Sequence, residues 1–312
     1  MTSPLSAILD REKPANDVRE HFAPQLEVLR DVVNYGSNLI PRCFESSKKG
    51  VPEIVIIGGL LEHAVAMIDG VEVHVSNAAV LASHACLRAL YEAHLYLLWI
   101  LANESDRRAR HYYVWNLRQQ RLWAMRSLRG TKEHSEFQAT AKQLPYPASD
   151  TFLDSLQQEA AEEVNRIDKL LASHYLEINE AFEKLRNRKY DPPWHAPCGA
   201  ASIRQVANDL KLLFEYETTY SSLSRFAHAN YLRKHVSLRP DLIVFQPIRH
   251  LESIDFVLNI VLSVAFRTYR NVLNQYRSGE VENFKRKYTQ DWRKAFLEIP
   301  TVKYKESVQK RP

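Results

Sequence analysis

A chain of 312 residues, 45% hydrophobic and 25% charged, has the composition of an ordinary globular protein able to bury a sizeable core, which excludes a disordered or collagen-like chain. Only eight glycines leave little room for hairpins or phosphate-cradling loops, so an all-α fold is expected. The formal charge of +5 is uneven, because residues 277 to 312 carry ten Lys and Arg against five Asp and Glu, and such a basic tail suits an acidic partner.

Residues 1 to 15 read as a loose arm. Leu26, Leu29, Val33 and Ile40 then keep helical spacing from Asp17 to Phe44, with a bend or stop near Pro41. After a turn at residues 46–50, Pro52 suits the start of a second helix running to His74, where Gly58 and Gly59 mark close packing. Ser76 or Asn77 is expected to cap a third helix reaching Ala102, apolar nearly all round and therefore buried. Ser105 is expected to cap a fourth, from Asp106 to Arg129, which holds seven arginines and no lysine. A loop around Pro145-Tyr146-Pro147 leads to one long helix from Asp150 to Lys189, with Glu159, Glu162 and Glu163 as a solvated face.

The segment from Asp191 to Pro197 holds three prolines, cannot be helical and is expected to cross the surface, delivering Trp194 to a defined place. A helical region from Ser202 should break near Leu210 to Leu213 and resume to Ala229. Residues 231 to 248, with Pro240, Pro247 and the β-prone Leu242 to Phe245, read as an irregular connection. A last apolar helix, Leu251 to Tyr276, precedes the tail, itself helical from Glu280 to Phe296. The expected architecture is one helical bundle over residues 16 to 277, built around the central buried helix and followed by a basic tail from 278 to 312.

Two polar stripes stand out against this apolar pattern. Tyr216, Tyr220, Ser224 and His228 recur every four residues, and so do His84, Arg88 and Glu92 on the central helix. A buried ionic stripe costs several kcal/mol to desolvate unless other groups satisfy it, which points to a purpose. In the fourth helix Arg107, Arg118 and Arg129 lie 11 residues apart, with Arg110 and Arg121 in the same arc and Tyr112, Tyr113, Trp115 and Trp123 interleaved. Arginine with aromatics is the combination that grips phosphates and stacks on bases. No Cys-x-x-Cys, His-Glu-x-x-His or Glu-x-x-His spacing occurs, so neither metal nor cofactor is expected. Cys43, Cys86 and Cys198 are odd in number and far apart, which fits a reducing compartment. The first residues lack a leader pattern and the longest apolar runs fall short of the ~20 residues a membrane span needs. A cytoplasmic protein without a membrane segment is therefore expected.

Arg88-x-x-x-Glu92 on a central helix, Trp194 ahead of a capped helix, and Tyr216-x-x-x-Tyr220-x-x-Leu223-Ser224-x-x-x-His228, in that order, resemble an uncharacterised bacterial all-helical family. It is the domain of unknown function numbered five-six-seven-seven, and the resemblance covers about residues 50 to 230. It implies an all-helical fold with a shared polar centre and brings no activity. Arg88 to His94, Arg129 to His134 and Arg188 to His195 also fit the short Arg-to-His spacing of the HEPN ribonucleases, but as often as composition alone produces. That second resemblance is weak.

Two functions fit these residues. In the first the chain is an RNA-directed hydrolase or toxin-like effector of bacterial stress or phage defence. His228 is then the general acid or base, Arg88 stabilises a phosphoryl oxygen and Glu92 orients either partner. Ser224, Tyr220, Tyr216, His84 and Trp194 position the substrate, and the five arginines bind RNA or another polyanion. In the second the stripes form one structural hydrogen-bond network inside a non-enzymatic scaffold or sensor, for which a homo-oligomer is one expected form.

Overall fold

The computed structural model describes residues 9–45, 49–141, 143, 150–187, 190–227, 235–239 and 242–303. His228, Arg188 and the end of the tail from 304 lie outside them, as do Pro145-Tyr146-Pro147 and Pro240. The chain divides into two compact units, residues 1–103 with 206–312, and residues 104–205, and each is described by itself.

The first unit opens with α1 (Glu12–Glu45). The helix starts earlier than the periodicity suggests because Asp10 Oδ1 accepts from the amides of Glu12 and Lys13, at 3.0 and 3.1 Å. Pro24 and Pro41 both lie within it, and Phe22 leaves helical geometry at φ −126°. α2 (Val51–Ser76) follows, with Pro52 in its first turn, and then α3 (Val80–Ala102). Neither Ser76 nor Asn77 caps α3. Asn77 instead donates to Val73 O at the end of α2, and α3 starts without a side-chain cap.

The core of this unit lies where α1, α2, α3 and α11 (Ile254–Tyr276) pack together. Gly36 of α1 sits at a close crossing, where a methyl group would collide with the hydroxyl end of Tyr269 and with Val65. Gly58 likewise faces the Phe44 ring, whereas Gly59 faces open space. By length and composition alone α2 and α3 are apolar enough to cross a membrane, a property missed by counting uninterrupted apolar runs. In this fold they pack on each other and on α1 and α11.

α8 (Ile203–Asp209) ends at the expected break. From there α9 (Leu213–Glu215), a π-helical turn over Tyr216–Tyr220 and α10 (Ser221–Ala227) run on in helical geometry. The connection expected to be irregular contains an antiparallel hairpin, β1 (Val236–Arg239) with β2 (Leu242–Phe245), in which Val236 faces Phe245. After α11 come α12 (Val281–Lys287), a second π-turn and α13 (Arg293–Leu297), so the tail is helical over almost the span expected.

The second unit starts with α4 (Ser105–Ser127), which begins one residue and ends two residues earlier than expected. Ser105 is its first helical residue and not its cap, because Glu104 precedes it at φ +47°. An unexpected α5 (Lys132–Ala141) follows. The single long helix expected from 150 to 189 is two, α6 (Asp150–Ser173) and α7 (Leu176–Leu185), broken at Tyr175, whose ψ of 23° with φ −128° leaves the helical region. Val114, Leu117, Ile167, Leu171 and Phe182 form the core of this unit. The Pro-rich segment closes with a short 3₁₀ turn, Ala196–Cys198, ended by Gly199 at φ +98°. It does not merely cross the surface, since Trp194 and His195 are both buried. The result is an all-α multi-helix protein carrying one short hairpin among the described residues.

Candidate functional site

The two polar stripes meet in the first unit. α10 and the π-turn pack on α3, which brings Tyr220 against Arg88 and Glu92. The Tyr220 hydroxyl donates to Glu92 Oε2 at 3.0 Å and accepts from Arg88 Nη2 at 3.2 Å. The direct Arg88–Glu92 contact is looser, at 3.8 Å, so the phenol is the real link between the two charges. Arg88 also lies over the Tyr220 ring, 5.4 Å from its centre. Tyr96 donates to the other oxygen of Glu92 at 3.3 Å.

Exposure corrects one expectation. The central helix is expected to be buried, yet the side chains of Arg88 and Glu92 keep 30% and 33% of their surface in contact with solvent. Tyr220 itself is buried. Burial, then the Glu92 carboxylate, pushes its phenol up to about 12, against the smaller opposing pull of Arg88. At neutral pH it is a fixed O–H donor.

The π-turn sets the placement of the tyrosines. Its widened ring, closed by the Ser221 amide on Tyr216 O, leaves Tyr216 stacked on Tyr220 with centroids 4.9 Å apart. Ser224 is half-buried one turn on, and no hydrogen bond ties it to Arg88, Glu92 or Tyr220 among the described residues. His84 is buried: its Nδ1 lies 2.7 Å from Val80 O and its ring packs on Phe226 at 4.1 Å. It is part of the packing between α3 and α10. His228, assigned as the proton-transfer group, lies outside the described residues.

Sequence reasoning missed a second polar layer beside the first. Arg267 of α11 holds Glu215 of α9 through two bonds, 2.8 and 2.7 Å. Tyr91 lies nearby, its phenol raised by burial and then by the Glu215 carboxylate. His94 is wholly buried, with Nδ1 2.7 Å from Thr268 Oγ1. Burial, helped by the charge of Arg267, pushes it down to about 3. Glu215 adjoins Tyr216 in sequence and was within reach of the stripe argument, but Arg267, 52 residues away on an apolar helix, carried no local signal.

The remaining assignments fall in the second unit. Trp194 is buried there against Tyr112, edge-on at 5.1 Å, and beside His195. Four of the five arginines assigned to nucleic acid face carboxylates of their own unit. Arg107 pairs with Glu104, Arg110 with Asp106, Arg121 with Asp168, and Arg118, itself buried, with Asp191 and Glu183. Arg129 lies exposed beyond the end of α4. Arg118 and Arg121 thus tie α4 to its neighbours, while Arg107 and Arg110 pair locally at the start of α4, and the four do not form an open row of cations. No group of three or more His, Cys, Asp or Glu side chains able to hold a metal ion occurs among the described residues.

No curated protein matches the chain, and no solved structure does. A family model matches residues 54–241, which covers α3, the π-turn and α10, and thus every described member of the Arg88–Glu92–Tyr220 centre. On that match the chain belongs to the family described as Family of unknown function (DUF5677).

Proposed function

We propose that the chain is a hydrolase acting on a phosphodiester, RNA in the first instance, through the centre formed by Arg88, Glu92 and Tyr220. One observation supports this reading above others: a buried phenol held in its protonated form joins a guanidinium to a carboxylate, while both charged groups remain open to solvent. A network serving only the packing of α3 on α10 has no need of that access. In this reading Arg88 offsets charge on a phosphoryl oxygen, Tyr220 donates to the same group and Glu92 holds both in place. His228, from the same stripe, takes the proton of the attacking hydroxyl and returns one to the leaving oxygen.

The test is degradation of total RNA by wild type, Arg88→Ala and His228→Ala at one salt concentration. Wild type should give fragments, and each variant should be slower by roughly a hundredfold or more. Intact RNA with wild type, or equal cleavage by His228→Ala, would sink the proposal. The second reading, a structural network, is favoured by the half-buried Glu215–Arg267 pair and the buried His94–Thr268 pair adjoining the centre. It requires Arg88→Ala to lower the melting temperature, whereas the hydrolase reading leaves it within a few degrees of wild type.

A further inference from the structure

The second unit holds a cavity of about 850 Å³, within the size range of small-molecule sites. α4 turns Trp115, Gln119 and Leu122 toward it at helical spacing, and α7 supplies Asn179. Leu171 of α6 lies in its wall, and Tyr190, 71% exposed, stands at the rim.

The guanidinium groups around this cavity already hold partners of their own unit. Arg118 holds both oxygens of Asp191, at 3.0 and 2.7 Å, and Asn179 Oδ1 at 2.5 Å. Arg121 holds Asp168 in the same two-pronged way, at 2.5 and 3.3 Å. With Glu133 and Glu183 also in the lining and Arg186 the one further cation, carboxylates exceed guanidinium groups there. A phosphate or carboxylate therefore enters against net repulsion.

What the cavity offers is neutral: the indole of Trp115, the phenol of Tyr190, an apolar wall and two amides. Asn179 is oriented by Arg118, which uses its oxygen and leaves Nδ2 as the donor. Aromatic faces stack on bases, and Asn or Gln amides pair with the N6 and N7 edge of adenine. We propose that this cavity binds a neutral purine nucleoside, its base stacked on Trp115 and Tyr190 and its edge bonded by Gln119 and Asn179. The assignment does not depend on the polar centre of the first unit.

Calorimetric titration of the full chain with adenosine, adenosine 5′-monophosphate and uridine tests it. Adenosine should bind, and the monophosphate and uridine should each bind roughly tenfold more weakly or worse. Gln119→Ala should weaken adenosine roughly tenfold, Tyr190→Ala roughly fivefold or more, and Leu122→Trp, which fills the space, should abolish binding. Tyr190 is largely exposed, so its variant should melt with wild type and serves as the control for folding. No heat with adenosine, a monophosphate or uridine that binds as tightly, or unchanged affinity in both Gln119→Ala and Leu122→Trp would each overturn the proposal. RNA cleavage by Gln119→Ala should equal wild type, which separates this site from the proposed hydrolase centre.

Discussion

Thr268 decides which nitrogen of His94 carries the proton. Its hydroxyl donates to Val264 O at 2.8 Å and must therefore accept from His94 Nδ1–H, which leaves Nε2 as a buried lone pair without a partner. Protonation would place a second charge beside Arg267 with no solvent to screen it, which is why the folded imidazole titrates only at about 3. The unfolded chain takes up that proton near the ordinary value of about 6.5. Below it the unfolded state binds more protons than the folded one, so stability falls with falling pH, by on the order of 2 kcal/mol between about pH 7 and pH 5. In urea unfolding, wild type should lose that amount over this interval. His94→Asn, which keeps a donor for Thr268, should start lower at pH 7 and lose far less. An equal loss in both proteins would refute the assignment.

At the scale of the helices, two ends share an unusual feature. α2 closes with Ala79 N on His74 O and Ala78 N on Val75 O, and α8 with Leu212 N on Ala207 O and Lys211 N on Asn208 O. Both are Schellman closures, which place the residue after the cap in the left-handed region, normally glycine. Here it is Ala78 at φ +55° and Lys211 at φ +59°. A side chain there costs roughly 1–2 kcal/mol. Lys211 is exposed, so Lys211→Gly should raise the denaturant midpoint by the equivalent of about 1 kcal/mol with an unchanged slope; a lower midpoint would show that the lysine side chain is needed. The same chemistry explains what sequence could not reveal. With eight glycines in the chain, helix stops were written in alanine, lysine and glutamate, and so the start of α3 and the cap of α4 were misplaced. The break at 210–213 was anticipated, whereas the division of α6 from α7 was not.

Over the whole molecule, the distribution of charge matters more than its total. Of the tail, Arg277 pairs with Glu280, Lys285 with Glu282, and Lys287 with Asp31 and Asp291, much as α4 matches its own arginines. Among the described residues Arg286, Arg293, Lys294 and Lys303 of the tail form no such ion pair and remain to displace counterions from a polyanion. Binding of single-stranded RNA through these four should therefore follow salt with a slope of roughly −3, equivalent to about four phosphates. A filter-binding series giving a slope near −5 would show an extended basic track instead. The all-α class and the meeting of the stripes were legible because side-chain periodicity is local. The pairing of each arginine was not, since Asp191 and Asp168 lie 73 and 47 residues from the guanidinium groups they neutralise.

One crossing links regions still farther apart. Gln25 of α1 donates through Nε2 to the carbonyls of Ala295 and Glu298, and Asp31 accepts from the indole of Trp292. These partners are 270, 273 and 261 residues apart. A ribosome adding about 5–20 residues each second needs roughly 15–50 s to supply the second half of that contact. Through that interval Gln25 and Asp31 of α1 lack these partners. This crossing therefore cannot close until α13 has been synthesised, however early α1, α2 and α3 have packed.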